Sequence, residues 1–300
     1  SFNTDGWLKN CTSPSCVSPQ SECDLFVQLP APIPELPPIV PVPSKISNGS
    51  TMLTVSPQVM MKATTPSADL TAAFARFVDR TFLSTYPKGT TGTLTTVTVT
   101  VENVSVPLDL GVDESYTLNV DASGETTITS KTVYGAYHGL ETLSQLIQWS
   151  FENKQYYISC APVAVTDAPD FTHRSILLDT SRHWHPLRLI EDLIDAMSYA
   201  KLNAVHWHIV DWQAYPAESK VYPKLWQGAW SEQERYTQED MMYIVEYGRQ
   251  RGIRVFPEID TPGHAAAMCV GYPEICPAPD CPMPLNVANE ETFTVLTGVF

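Results

Sequence analysis

Apolar and polar residues follow two regimes along these 300 residues, with a change near Asp167-Ala-Pro-Asp170. Before it, residues 94–104 (LTTVTVTVENV) alternate Thr and Val, the period of a half-buried strand. Residues 51–55 predict a short strand, and 116–120 and 126–130 predict two more around a hairpin turn, Asp121 to Gly124. Ser67-Ala68-Asp69 opens a helix that carries Leu70, Phe74, Phe77 and Val78 at helical spacing. Residues 137–149, with Leu140, Leu143, Leu146 and Ile147, predict an amphipathic helix covering one sheet face. After Asp170 strands and helices alternate. Apolar runs at 175–178, 204–210 and 253–259 end in Asp179, Asp211 and Asp260. Leu187, Ile190, Leu193, Ile194 and Met197 form a helix stripe, and Thr237-x-x-Asp240 opens a further helix closed by Gly252. Strand–helix–strand repetition with apolar strands predicts a parallel sheet with right-handed crossovers.

This divides the chain into a Cys/Pro-rich arm (1–43, with LPAPIPELPPIVPVP), an α+β domain (44–167) and an α/β region (168–300). Composition changes the picture mainly by exclusion. A net charge of −15 argues against nucleic acid or an anionic membrane surface as partner. No stretch reaches the roughly 20 apolar residues of a membrane span. The opening SFNTDGWLKN lacks signal-peptide blocks and reads as a mature start after processing, or as an artificial boundary. Cys11, Cys16 and Cys23 cluster early, Cys269, Cys276 and Cys281 late, and Cys160 stands alone, so one thiol is left unpaired or finds a partner outside this chain. With sequons at Asn10, Asn48 and Asn103, this points to secretion or a lysosomal/vacuolar lumen.

Three carboxylates at strand ends are the main chemical signal, because parallel α/β folds carry their sites at the C-terminal strand ends. Asp179, Asp211 and Asp260 suit acid/base work or a metal; the alternative is that they cap the following turns. Pro262 and Gly263 force a turn that can bring His264 back to Asp260; otherwise His264 packs on a loop. Arg182 can fork hydrogen bonds to a substrate, or pair with a rim Asp. His206 and His208 share a strand face, and His264 could complete a zinc site, although Asp211, an odd number of residues from His208, would point to the other face. Of Trp184, Trp207, Trp212, Trp226 and Trp230, only Trp212 is placed by its position for contact at the rim.

SILLDTSRHWHP, LNAVHWHIVDWQAYPAES and GIRVFPEIDTPGH, in this order, closely resemble the β-N-acetylhexosaminidases of glycoside hydrolase family 20. VYGAYHGLETLSQLI resembles the helix before the barrel in that family, and PVPSKISNG its opening, so the similarity runs from about residue 41 to residue 300. The resemblance implies an α/β fold in which a small α+β accessory domain precedes a (β/α)8 barrel. It implies removal of terminal β-linked GlcNAc or GalNAc with retention, the substrate's 2-acetamido oxygen attacking the anomeric carbon. By motif, Arg182 would hold ring hydroxyls, Asp211 would be the family's essential Asp of the second strand motif, and Asp260 and His264 would support the acid Glu. No cofactor and no metal are implied.

Two departures stand out. Trp212 replaces the second acidic residue that many relatives carry after the position of Asp211, and no Gly-Gly-Asp-Glu motif for the catalytic pair occurs. A barrel takes roughly 250 residues, so this region is expected to hold only its first part. Residues beyond Phe300, or a second processed chain, would then supply the remainder and the acid. Expected partners are N-acetylhexosamine-terminated glycans, and a homodimer is compatible with this reading. The alternative is an inactive sugar-binding or partner protein on the same scaffold.

Overall fold

The computed structural model describes residues 39–83 and 91–300. Most of the Cys/Pro-rich arm, with Asn10, Cys11, Cys16 and Cys23, lies outside the described residues.

The first strand, β1 (Lys45–Ala63), is far longer than the predicted 51–55. Its flanks are polar residues such as Asn48, Ser50 and Gln58 without strict alternation, so periodicity could not find them. Partner strands hold them instead. Residues 45–55 run antiparallel to β6 (Gln155–Asp167), while 55–63 run parallel to β2 (Leu94–Asn103). The hairpin β3 (Tyr116–Val120) and β4 (Thr126–Thr132) forms as expected. Asp121 Oδ1 accepts the N–H groups of Ser123 and Glu125, and Gly124 takes φ +92°, a left-handed value that favours glycine. With β5 (Gln148–Ser150) the sheet order is β1-β2-β4-β3-β6-β5, β1 returning to pair with β6. Leu94, Val97, Val99 and Val101 of β2 enter the core and the intervening threonines do not.

Two helices accompany this sheet. α1 (Ala68–Thr81) is capped by Ser67 as predicted. α2 (Val133–Leu146) starts four residues earlier than predicted and stops before Ile147, where the chain turns extended into β5. The start is set by Thr132, whose Oγ1 accepts from the N–H groups of Tyr134 and Gly135. At Gly135 a Cβ would meet the Ser115 carbonyl oxygen at 2.2 Å, so glycine permits the close approach of helix to strand. Tyr134 and Tyr137 of α2 face Gly252, and α2 is buried along most of its length.

The second half is a parallel sheet, β7 (Ser175–Asp179), β8 (Ala204–Val210) and β9 (Arg254–Ile259), joined by α3 (Leu187–Tyr199) and α4 (Gln238–Arg249). The predicted capping box opens α4: Asp240 N–H donates to Thr237 Oγ1 and Thr237 N–H to Asp240 Oδ2. Ile190, Ile194, Met197, Val205, Trp207, Ile209 and Ile244 form the core between sheet and helices. On the other face Leu177 is 54% exposed, and Phe256 is exposed as well. α5 (Met268–Gly271) and α6 (Glu290–Val299) follow, with a disulfide between Cys269 and Cys276; Cys160 is buried and Cys281 exposed. Among the described residues no helix is long and apolar enough to cross a membrane.

A buried polar cluster ties the six-stranded sheet to the bottom of β7–β9. The Arg174 guanidinium grips Glu114 through both Nη atoms, at 2.6 and 3.1 Å. Asn203 donates to Glu114 at 3.1 Å and accepts the Arg174 N–H. Beside them Lys201 Nζ donates to Tyr116 Oη and Thr142 Oγ1, and burial lowers its proton affinity.

Candidate active site

The C-terminal ends of β7, β8 and β9 lie side by side, so their terminal carboxylates gather at one rim. Their roles differ. Asp179 serves its own turn: Oδ1 accepts the N–H groups of Ser181 and Arg182 at 3.0 Å, and Oδ2 takes Arg182 Nη1 at 2.7 Å. Burial pushes its proton affinity up, but these donors outweigh it and hold the carboxyl below its ordinary value. The turn-capping alternative therefore describes Asp179.

Asp211 is the centre of the rim. It is 1% exposed, yet donors surround it. Arg182 Nη2 lies 2.6 Å and His208 Nε2 2.7 Å from Oδ2, the Trp212 N–H donates to Oδ1 at 2.5 Å, and His264 Nδ1 is 3.2 Å from Oδ2. Burial again acts upward and is outweighed by Trp212, His208, His264 and Arg182, so Asp211 stays below the ordinary carboxylate range. The expectation that it faces away from His208 is corrected. The β8–β9 ladder slips between His208 and Val210, and this irregularity turns the Asp211 carboxylate back onto the face of His208.

Arg182 makes the rim ion pair. It pairs with Asp179 and Asp211, which raises its proton affinity, and its side chain remains 42% exposed. His264, 53% exposed, is turned to Asp211; its Nε2 is 4.0 Å from Asp260 Oδ2, longer than a hydrogen bond. The 260–264 turn thus brings His264 nearest to Asp211, with Asp260 beside it.

The three histidines of the zinc alternative do not converge: His206 gives Nε2 to Glu258 and His208 gives Nε2 to Asp211. Ligand atoms of His208, Glu258 and Asp260 do lie within 4.8 Å of one another. Glu258 was missed in the sequence, although it lies two residues before Asp260 on β9, directly opposite His208. A second tryptophan also reaches the rim. Besides Trp212, 55% exposed, Trp230 is 53% exposed and its Nε1 donates to the Ser181 carbonyl beside Arg182. Its distance in sequence from any strand end hid it.

Residues 171–300 match the model of the glycosyl hydrolase family 20 catalytic domain, and 39–146 match that of a beta-acetyl hexosaminidase-like domain. Beta-hexosaminidase 1 of Arabidopsis thaliana is 40% identical over 290 residues, covering 90% of this chain and 54% of that protein. The chain belongs to glycoside hydrolase family 20. Beta-hexosaminidase 3 of the same plant is 46% identical over 204 residues, 67% of this chain and 38% of its own. The family 20 chitobiase of Flavobacterium johnsoniae superposes with a TM-score of 0.77 at 30% identity, covering 90% of this chain and 43% of that one. The family 20 chain spans about half the length of the curated relatives it matches. Its fold is an α+β domain followed by the first strands of a (β/α)8 barrel.

Proposed function

We propose that this chain forms the accessory domain and the pocket-bearing first part of the barrel of a retaining β-N-acetylhexosaminidase. The observation that carries it is the buried Asp211 carboxylate, held ionised by Arg182, His208 and His264 at the C-terminal rim of parallel barrel strands. In this reading Arg182 holds sugar hydroxyls with its exposed edge, and the exposed faces of Trp212 and Trp230 are apolar platforms for sugar rings. The substrate's acetamido oxygen bonds to the anomeric carbon as the glycosidic C–O bond breaks. The leaving oxygen takes the proton of a Glu, and water then opens the cyclic intermediate with retention. That Glu and its Asp neighbour belong to a Gly-Gly-Asp-Glu motif not found in these 300 residues. The exposed Leu177 and Phe256 on the inner face support a barrel completed by further strands that carry the pair. Secretion, or a lysosomal/vacuolar lumen, fits the Cys269–Cys276 disulfide and the exposed sequon residues Asn48 and Asn103.

The full-length protein that contains this chain should release the phenol from an aryl β-N-acetylglucosaminide. Saturable sugar binding with no turnover would make it instead the sugar-binding protein on the same scaffold. Within the active protein, His264→Phe removes a ring that touches Asp211 and borders Asp260. Turnover is expected to fall about 10–100-fold with a displaced pH profile and little change in KM. Steady-state kinetics across pH checks this, and a profile superimposable on wild type would remove His264 from the proton-handling group.

A further inference from the structure

Asp211 is supported from two directions. Arg182 reaches it from the solvent side; His208, buried in the centre of the sheet, reaches it from behind. The ladder explains how. His208 of β8 is paired in register with Glu258 of β9, so ring and carboxylate face each other across adjacent strands. Nδ1 of His208 lies 3.4 Å from Glu258 Oε1, while its Nε2 is on Asp211 Oδ2. Glu258 Oε2 is in turn held by His206 Nε2. An unbroken series, Arg182–Asp211–His208–Glu258–His206, therefore runs from the turn after β7 through β8 to β9.

A histidine held at one nitrogen can rotate about its side-chain bonds and carry its donor away from Asp211. The Glu258 carboxylate at the second nitrogen restrains that rotation. We infer that Glu258 and His208 are a positioning pair for Asp211. Glu258 fixes the His208 ring, and His208 fixes the orientation of the buried Asp211 carboxylate beneath the sugar pocket. Neither residue touches substrate in this scheme; both act through Asp211.

The inference rests on the glycosidase reading for its kinetic readout, and the test separates the two. In the full-length protein His208→Leu removes the donor, His208→Gln keeps an N–H group near the Nε2 position, and Glu258→Gln keeps the shape. We expect His208→Leu to lower kcat about 10–100-fold, with KM within a few fold. The acidic limb of its pH profile should move to higher pH, because a carboxylate that loses a donor protonates more readily. His208→Gln should recover most of kcat, and Glu258→Gln should fall between. Overturning results are His208→Leu with wild-type kcat and pH profile, or His208→Leu and His208→Gln equally impaired with unchanged melting temperatures. If the wild type turns nothing over, the glycosidase reading fails and calorimetric binding of N-acetylglucosamine replaces kcat. There, weakening by His208→Leu that His208→Gln restores keeps the pair, and equal affinities overturn it.

Discussion

Arg182→Ala in the full-length protein should lower kcat/KM for an aryl β-N-acetylglucosaminide by about 10²–10³-fold. Truncating one partner of a buried, hydrogen-bonded charge pair costs roughly 2–5 kcal/mol, and each ~1.4 kcal/mol is tenfold in rate. Two losses combine. The exposed guanidinium edge no longer reaches the sugar, and Asp211 keeps its burial while losing a donor at 2.6 Å. Burial is the largest influence on Asp211 and acts upward, so its carboxyl should protonate at higher pH than in the wild type. The sign follows for stability. The depressed carboxyl stabilises the wild type above its unfolded-state pKa and stops doing so as pH falls through its folded value; in the variant that contribution shrinks. Arg182→Lys should recover less than the lost activity, since one ammonium cannot span Asp179 and Asp211 as the two Nη atoms do. Steady-state kinetics from acid to neutral pH checks both claims. A loss below tenfold for Arg182→Ala would mean that Arg182 serves only the turn of Asp179.

What the chain order revealed, and what it hid, follows from how local each feature is. The runs ending in Asp179, Asp211 and Asp260 were legible because strands of a parallel sheet are apolar over their length and stop at the rim. β1 was not, since its polar flanks are held by β2 and β6, strands that lie far along the chain. The start of α2 hid for a different reason: Thr132 caps a helix that grows straight out of β4, in a Val-Tyr-Gly-Ala stretch without helical periodicity. At the site, Arg182, Asp211 and His264 were found as residue types at strand ends. Their pairing was not, because a slip in one ladder decides which face Asp211 takes. Glu258 shows the limit most clearly. It sits inside an apolar run and gains its meaning only from the register that sets it opposite His208.

The two ends of these strands separate stability from catalysis. Arg174 directly precedes β7, Asn203 directly precedes β8, and the Asn203 carbonyl accepts the N–H of Arg254, which begins β9. This end of the sheet rests on Glu114, a 7% exposed carboxylate from the six-stranded domain. Arg174→Leu should therefore lower the free energy of unfolding by about 3–5 kcal/mol, the cost of leaving a buried charge without its partner. His138, with Nε2 3.6 Å from Glu114, is a poor replacement for the guanidinium, because burial, the largest influence on it, pushes its proton affinity down. Adding Glu114→Gln to Arg174→Leu removes the orphaned charge and should restore more than half of the loss. Denaturant unfolding of the three variants measures this directly. In a barrel the N-terminal strand ends carry stability and the C-terminal ends carry chemistry. Below its melting temperature Arg174→Leu should accordingly keep wild-type kcat and KM. A fall in kcat while the fold is intact would show that the junction reaches the rim, and that the two ends of these strands are not independent.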